Sequence, residues 1–380
     1  MVVRPHFTEE KKVLPFDKVI ELERIDDWTF RSIVKAYSPT GRENGTYGGH
    51  VFAQAAWAAA QTVAEGFLIH ASCYQSITGW FLLGGMDNEH CTYRVQKIRD
   101  GYKYCTRSVT VSQVTPSGDM FTCTCSFKRE EASPVDVQEH LNLKEVYQEA
   151  LQGKEDDPML HGEAPSIDIL DFYEVYLPAH PEHFNPVGGV HMRKVEMAEY
   201  NRSRTPLERR QLIFYTLRGA LPLPTAPYPP PTDPSKAITL TREANMHACA
   251  HLYASDCNSL CIVPRHLDRP RDFTHMASLS HTVIFHVGIR DLLMPPEPRI
   301  NHPNADPTLW EDGSLPLCNL EGHGKGDADG RKWFMQEAWI TRAAGGRTMH
   351  TSRMWDYESG VHIATTFQDG MVRFKDGVKL

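Results

Sequence analysis

The feature that most constrains this chain is an internal echo. Residues near 70 read H-A-S-C-Y-Q-S-I-T-G-W-F-L and residues near 276 read M-A-S-L-S-H-T-V-I-F-H, so that Ala71-Ser72 pairs with Ala277-Ser278 at an offset of 206. Further on, Ser117-Gly118-Asp119-Met120-Phe121-Thr122 faces Ser359-Gly360-Val361-His362-Ile363-Ala364 at an offset of 242. Matches that keep their order indicate two copies of one supersecondary unit, stacked so that each covers the other's apolar face. The two offsets differ by 36 residues, which demands an insertion in the second copy. Residues 291–330 are rich in Pro, Gly and Asp and read as that long loop.

Each copy reads as one helix followed by a run of strands. Gly48-Gly49-His50 opens VFAQAAWAAAQTV, an Ala-rich helix whose small side chains let a sheet wrap closely. Alternating, β-branched segments then predict strands near 68–83, 91–99, 103–113 and 119–129. Turn signals separate them at Asp100-Gly101 and at Thr115-Pro116-Ser117-Gly118. In the second copy the helix falls within 243–262, and strands are expected near 275–288, 333–343, 347–357 and 361–374. One helix before an antiparallel run is an α+β pattern, unlike the alternating βαβ of a dinucleotide fold. The expected division is a first unit at 1–135, a linker with a short helix and loops at 136–195, and a second unit at 196–380. Within the last, 221–234 (LPLPTAPYPPPTDP) is stiff and extended, because proline fixes φ.

Composition narrows the function classes. Over 380 residues, 41% are apolar and 23% charged, which excludes wholesale disorder. A net charge of −8 argues against a broad surface for nucleic acid or anionic lipid. Among nine cysteines, Cys73, Cys105, Cys123, Cys125 and Cys249 lie in apolar or alternating runs, as reduced buried thiols do. No CxxC pair supports a structural zinc. The opening MVVRPHFTEEKK lacks the apolar core of a signal peptide, and no apolar run approaches the ~20 residues of a membrane span. A soluble intracellular protein is expected.

The duplication also allows the two copies to be compared for chemistry. At the 206 offset Asp256 falls opposite His50, and Ser278 opposite Ser72; at 242, Gln368 falls opposite Ser126. Only the second copy therefore holds an acid, a hydroxyl and an amide at the three matching places. Converging on one water, they form a hydrolytic set with the Asp as general base. The plain alternative is that Asp256 caps a helix, Ser278 is an ordinary strand residue and Gln368 bonds locally. Spacing alone leaves both open.

The segments YGGHVFAQA (47–55), RDGYKYCTRSVTVSQ (99–113), LYASDCNSL (252–260), HMASLSHTVIFH (275–286) and IATTFQDGMVR (363–373) are similar to those of the acyl-CoA thioesterase II family. These are the tandem double-hotdog enzymes of bacteria and eukaryotic peroxisomes. The resemblance implies a double-hotdog α+β fold, in which each repeat wraps an antiparallel sheet round a long helix. It implies hydrolysis of acyl-CoA to free acid and CoA within fatty acid metabolism, with no cofactor and no metal. The family's catalytic Asp, Thr or Ser, and Gln fall on Asp256, Ser278 and Gln368. Water activated by Asp256 would attack the thioester without a covalent intermediate. The helix start Gly48-Gly49-His50 is the candidate for the oxyanion donors or substrate contact, the plain alternative being that the two glycines let helix and sheet pack. Where the family carries Gln this chain has His50, a further acid/base or a pocket wall, which bears on the acyl group accepted.

Other motifs carry less. His247 and His251 have i, i+4 metal spacing, but no HExxH and no third ligand accompany them. Gly322-His323-Gly324-Lys325-Gly326 lacks the Lys-Ser/Thr of a P-loop, and Cys123 with Cys125 reads as strand packing. No G-x-S-x-G elbow exists, against an α/β-hydrolase, and Cys261 stands where a hotdog hydratase would need His. Arg202, Arg204, Arg209 and Arg210 read as a solvated face, with CoA phosphate contact as the alternative. The ending Val378-Lys379-Leu380 is a degenerate peroxisomal signal, leaving peroxisome or cytoplasm as the compartment. Competing functions are a thioesterase for carrier-protein-bound acyl or polyketide chains and a non-catalytic acyl-binding protein. Exposed sheet edges favour a homodimer or tetramer.

Overall fold

The computed structural model describes residues 13–40, 45–64, 67–68, 75–87, 89–114, 118–129, 134–185, 187–223, 242–295 and 331–375. Most of the alternating segments become the long strands expected of them. The strands are β1 (Leu22–Arg24), β2 (Thr29–Ser32), β3 (Phe67–Leu68), β4 (Gln75–Phe81), β5 (Thr92–Asp100), β6 (Tyr104–Ser112) and β7 (Asp119–Arg129) in the first half. In the second half they are β8 (Gly162–Glu163), β9 (Val190–Lys194), β10 (Gln211–Leu217), β11 (Phe273–Phe285), β12 (Phe334–Ala344), β13 (Arg347–Asp356) and β14 (His362–Phe374). β6 and β7 alternate buried with less buried side chains, so one face meets the core.

The fourteen strands of the described residues join one antiparallel sheet in the order β1-β2-β5-β6-β7-β4-β11-β14-β13-β12-β10-β9-β8, with β3 paired to the far end of β7. Outward from the centre, the order β4-β7-β6-β5-β2-β1 mirrors β11-β14-β13-β12-β10-β9. The halves are stitched together by β4 and β11, from Ser280 opposite Trp80 to Phe285 opposite Gln75. The duplication is thus written into the strand order.

Among the described residues each half has seven strands, three more than its sequence announced. β1 and β2 are too short to show a period, and β10 (QLIFYTL) is buried along its whole length and so does not alternate. β9 begins at Val190, inside the stretch expected as linker. The acidic helical stretch expected there is present as short helices at Leu143–Val146 and Gln148–Leu151. Most of the Pro-rich 221–234 run, the bulk of the 291–330 loop and the 322–326 glycines lie outside the described residues.

Two long helices pack against the sheet, Gly48–Ala60 and Asn245–Ser255, buried along nearly their full length. A helix that is apolar all round belongs inside. Ala53, Ala55, Ala56, Ala58, Ala59 and Ala60 keep the first one slim enough to lie against its partner and the sheet together. They run head to tail: the Gly49 N–H reaches Asp256 at one end, and Arg242 reaches the Val63 carbonyl at the other. One continuous apolar core takes in both helices and both halves of the sheet.

The helices correct one detail of the repeat. Their C-terminal caps are Gln61 and Asp256, an offset of 195 rather than 206. Eleven extra residues, among them the short helix Ile262–His266, lie between helix and strand in the second half. Gln61, not His50, therefore occupies the place that Asp256 holds. His50 sits in the first turn of its helix, at the opposite end.

Candidate active site

Asp256 is the residue on which the second long helix stops, and its neighbours show how the sequence stops it there. Its backbone is still helical, and Asn258, two residues on, takes a left-handed φ of 55° that a carboxamide side chain tolerates. Asn258 is held there by its own side chain, which donates to the Pro165 carbonyl at 2.7 Å and accepts from the Asp168 N–H at 2.7 Å. A carboxylate at a helix C-terminus faces the negative end of the dipole. Here it also faces the positive N-terminus of the partner helix, and the Gly49 N–H donates to Asp256 Oδ2 at 2.8 Å.

That approach is why two glycines open the first helix. A Cβ on Gly48 would lie 2.7 Å from Asp256 Oδ2 and 2.8 Å from the Phe81 ring. One on Gly49 would lie 2.6 Å from the Tyr253 carbonyl oxygen and 2.7 Å from the Tyr47 hydroxyl. The Tyr47 hydroxyl donates to that same Tyr253 carbonyl and pins the two helix ends together. No side chain fits between them.

Strand register delivers the other two groups. Gln368 on β14 lies opposite His281 of β11, while Ser278 enters from β11 beyond a bulge between Ser278 and Ser280. The Gln368 amide donates through Nε2 to Asp256 Oδ1 at 2.7 Å and to Ser278 Oγ at 2.6 Å. Asp256, Ser278 and Gln368, picked from three distant stretches of sequence, thus form one hydrogen-bonded cluster. Burial raises the Asp256 carboxyl to about 6, against the donors Gln368, Gly49 and Ser259, which favour the carboxylate. Such a group is ionised at neutral pH yet basic enough to take a proton from water.

The third expected part, Gly48-Gly49-His50, divides. The Gly49 donor points at Asp256, and His50 lines a cavity of about 230 Å³ with Val13, Tyr37, Asn185 and Tyr253. His50 is 2% exposed, and burial holds its imidazole down to about 4. The Gly48 N–H is left at the helix tip beside the carboxylate, with no protein acceptor among the described residues. Ser72, the expected first-copy counterpart of Ser278, lies outside the described residues.

Sequence reasoning missed Ser259. Its hydroxyl lies 2.6 Å from Gln368 Oε1 and 3.3 Å from Asp256 Oδ1. Its spacing of three from Asp256 was the available signal, since residues one turn apart share a face. It also missed His281 and His350, both buried on the strands flanking Gln368 and held neutral by that burial, at about 3 and about 4.

The secondary motifs resolve into structure. His247 bonds the Pro222 carbonyl and the Met294 N–H, both at 3.0 Å. His251 bonds the Tyr215 hydroxyl at 2.8 Å and the Leu292 carbonyl at 3.0 Å, so both rings are fully engaged by protein. The arginine run is not simply solvated: Arg202 pairs with Glu199, Arg204 covers Tyr200, Arg209 pairs with Asp268 and Arg210 with Glu337. The cysteines among the described residues are free and buried; Cys73 lies outside them. No helix among the described residues is long and apolar enough to cross a membrane.

Comparison with known proteins follows the same lines. Residues 37–128 match the family described as the acyl-CoA thioesterase N-terminal domain. Over 95% of the chain and 89% of the relative, the sequence is 23% identical to acyl-coenzyme A thioesterase 8 of Homo sapiens. It is 27% identical over 41% of the chain, and 42% of the relative, to peroxisomal acyl-coenzyme A thioester hydrolase 1 of Saccharomyces cerevisiae. Among solved structures, an acyl-CoA thioesterase II of Mycobacterium marinum covers 96% of this chain and 99% of its own, at 19% identity and a TM-score of 0.53. A hot dog fold protein of Alicyclobacillus acidocaldarius covers 94% of this chain and 97% of its own, at 12% identity and a TM-score of 0.55. With two mirrored half-sheets closed round head-to-tail helices, the chain is a double hotdog, and it resembles the acyl-CoA thioesterase II family.

Proposed function

We propose that this protein is an acyl-CoA thioesterase, a hydrolase of thioester bonds, in which Asp256 activates water. The observation that carries the reading is the Asp256 carboxylate, raised to about 6 and held by Gln368 and the Gly49 N–H at the meeting point of two helix ends. At neutral pH it removes a proton from a water placed beside it, and the hydroxide equivalent attacks the thioester carbonyl carbon. Ser278 accepts from Gln368, which leaves its own O–H to orient that water or the carbonyl. Negative charge growing on the carbonyl oxygen is met by the Gly48 N–H and the positive helix N-terminus behind it. The tetrahedral intermediate then expels the CoA thiolate, which takes the proton held by Asp256. Reaction by this route leaves no acyl-enzyme.

The names of the relatives support acyl-CoA as the substrate class. The test is release of free thiol from a panel of acyl-CoAs by the native protein and by Asp256→Asn. Turnover that falls at least about 100-fold in the variant supports the reading, since general-base catalysis contributes ~10²–10⁴. Turnover that survives the change removes Asp256 as the base. A native protein silent on every acyl-CoA but active on an acyl-carrier protein would replace the substrate class.

A further inference from the structure

We propose that Ser259 is a positioning residue for this reaction: its hydroxyl fixes which way round the Gln368 amide stands and thereby keeps Asp256 in its basic form. The inference rests on the proposed thioesterase reading and adds a residue to it. It starts from the count of donors. Ser259 Oγ sits 2.6 Å from Gln368 Oε1 and 5% of the residue is exposed, so its one proton has a short path to the amide oxygen and little competition from solvent. With Oε1 held there, the amide's two N–H bonds face the other way, onto Asp256 Oδ1 and Ser278 Oγ.

Without that hydroxyl the amide has two orientations. Turned over, Gln368 would present its carbonyl oxygen to Asp256 Oδ1 across the 2.7 Å now bridged by N–H. Two oxygens at that distance repel unless one carries a proton, so the flipped amide selects protonated Asp256. The acid would donate to the amide, and a base that already holds a proton does not activate water. Ser259 closes that route. Its other acceptors, the Asp256 backbone carbonyl at 3.1 Å and Asp256 Oδ1 at 3.3 Å, are both farther than Gln368 Oε1 at 2.6 Å, so the single proton goes to the amide oxygen.

The surroundings make this readable by pH. The titratable groups that face the cluster are Tyr47 at the first helix's cap, Cys257 beside Asp256, and His281 and His350 on the flanking strands. Burial pushes the tyrosine and thiol well up and the imidazoles down to about 3 and about 4. All four are uncharged between about pH 5 and 8, so the acid limb in that window belongs to Asp256.

The experiment is the pH profile of kcat and kcat/KM for acyl-CoA hydrolysis by the native protein, Ser259→Ala and Ser259→Thr. The expected result for Ser259→Ala is an acid limb moved up by about one pH unit, kcat lowered about tenfold at pH 5 but only about twofold at pH 7, and KM within about twofold of native. Ser259→Thr, which keeps the hydroxyl, should restore the native limb. A Ser259→Ala profile that superimposes on the native one overturns the proposal while leaving the thioesterase reading intact. Loss of that reading is seen separately, as a native protein without turnover or an active Asp256→Asn. Should Ser259→Ala fail to fold, the near-isosteric Ser259→Cys, a weak donor, is read in the same way.

Discussion

The two places where the long helices meet end to end are related by the mirror in the sheet, yet their chemistry is opposite. At one, three guanidinium groups close the C-terminus of the first helix: Arg24 donates to the Gln61 carbonyl, Arg107 to that of Thr62 and Arg242 to that of Val63, at 3.0, 3.2 and 3.0 Å. Cations there satisfy orphan carbonyls and complement the dipole. At the other, the second helix ends in a carboxylate, Asp256, and its partner contributes two glycines and a bare N–H. The first end is built to hold; the second is kept uncomfortable. A carboxyl raised to about 6 is a carboxylate left in a place that disfavours charge, as a base must be.

The comparison is broken most severely by removing the acid. Asp256→Asn should cost at least about 100-fold in kcat, measured as thiol release. Adding Gln61→Asp to that variant should restore nothing, because the arginine-closed end lacks a glycine approach and has Phe127 on β7 where strand register places Gln368 in the other half; recovery would show the two ends to be chemically equivalent. Next in size is the arginine end. The Arg107 side chain is 3% exposed and also pairs with Asp100 at 2.6 Å, so Arg107→Ala should lower stability by about 3 kcal/mol while leaving kcat within about twofold, read by chemical denaturation and by assay.

Gly49→Ala tests the close approach itself. Its methyl would stand 2.6 Å from the Tyr253 carbonyl, so the helix ends must part, with a fall of roughly tenfold in kcat and about 1–3 kcal/mol in stability. The smallest effect is a gain. The folded protein binds a proton at Asp256 more tightly than the unfolded chain does, so this group's contribution to stability is full below about pH 4 and is lost as pH rises to about 6. Asp256→Asn should therefore be more stable than native at pH 7.5, by of order 1–2 kcal/mol, and no more stable at pH 4. Equal melting temperatures at both pH values would show that the carboxylate is not strained.

Much of this was legible beforehand for definite reasons. Long strands that bury one face must alternate, so 103–113 and 119–129 declared themselves within a residue or two of β6 and β7. β10 did not, because burial on both faces erases the period, and β1 was too short to show one. The site was half legible. Comparing copies singled out Asp256, Ser278 and Gln368, but the partner assigned to Asp256 was wrong: a strand offset was carried across a helix–strand connection whose length differs by 11 residues. The helix start Gly48-Gly49-His50 was read as a source of oxyanion donors or substrate contacts. The Gly49 N–H donates to Asp256, and His50 lines a cavity with Val13, Tyr37 and Tyr253.

The sequence by itself determined the periodic part of this protein: two copies, one long helix in each, four long strands after it, and a second copy that alone carries an acid, a hydroxyl and an amide. Periodicity and residue type are local properties, and they survive in a single line of text. Only the tertiary structure decided which helix end meets which and that Gly49 donates to Asp256. It also decided that Ser259 stands behind Gln368 and that three arginines close the opposite end. Those facts depend on the head-to-tail pairing of helices about 200 residues apart in the chain, and on the burial that pairing creates. Burial is what raises the Asp256 carboxyl from its ordinary range to about 6.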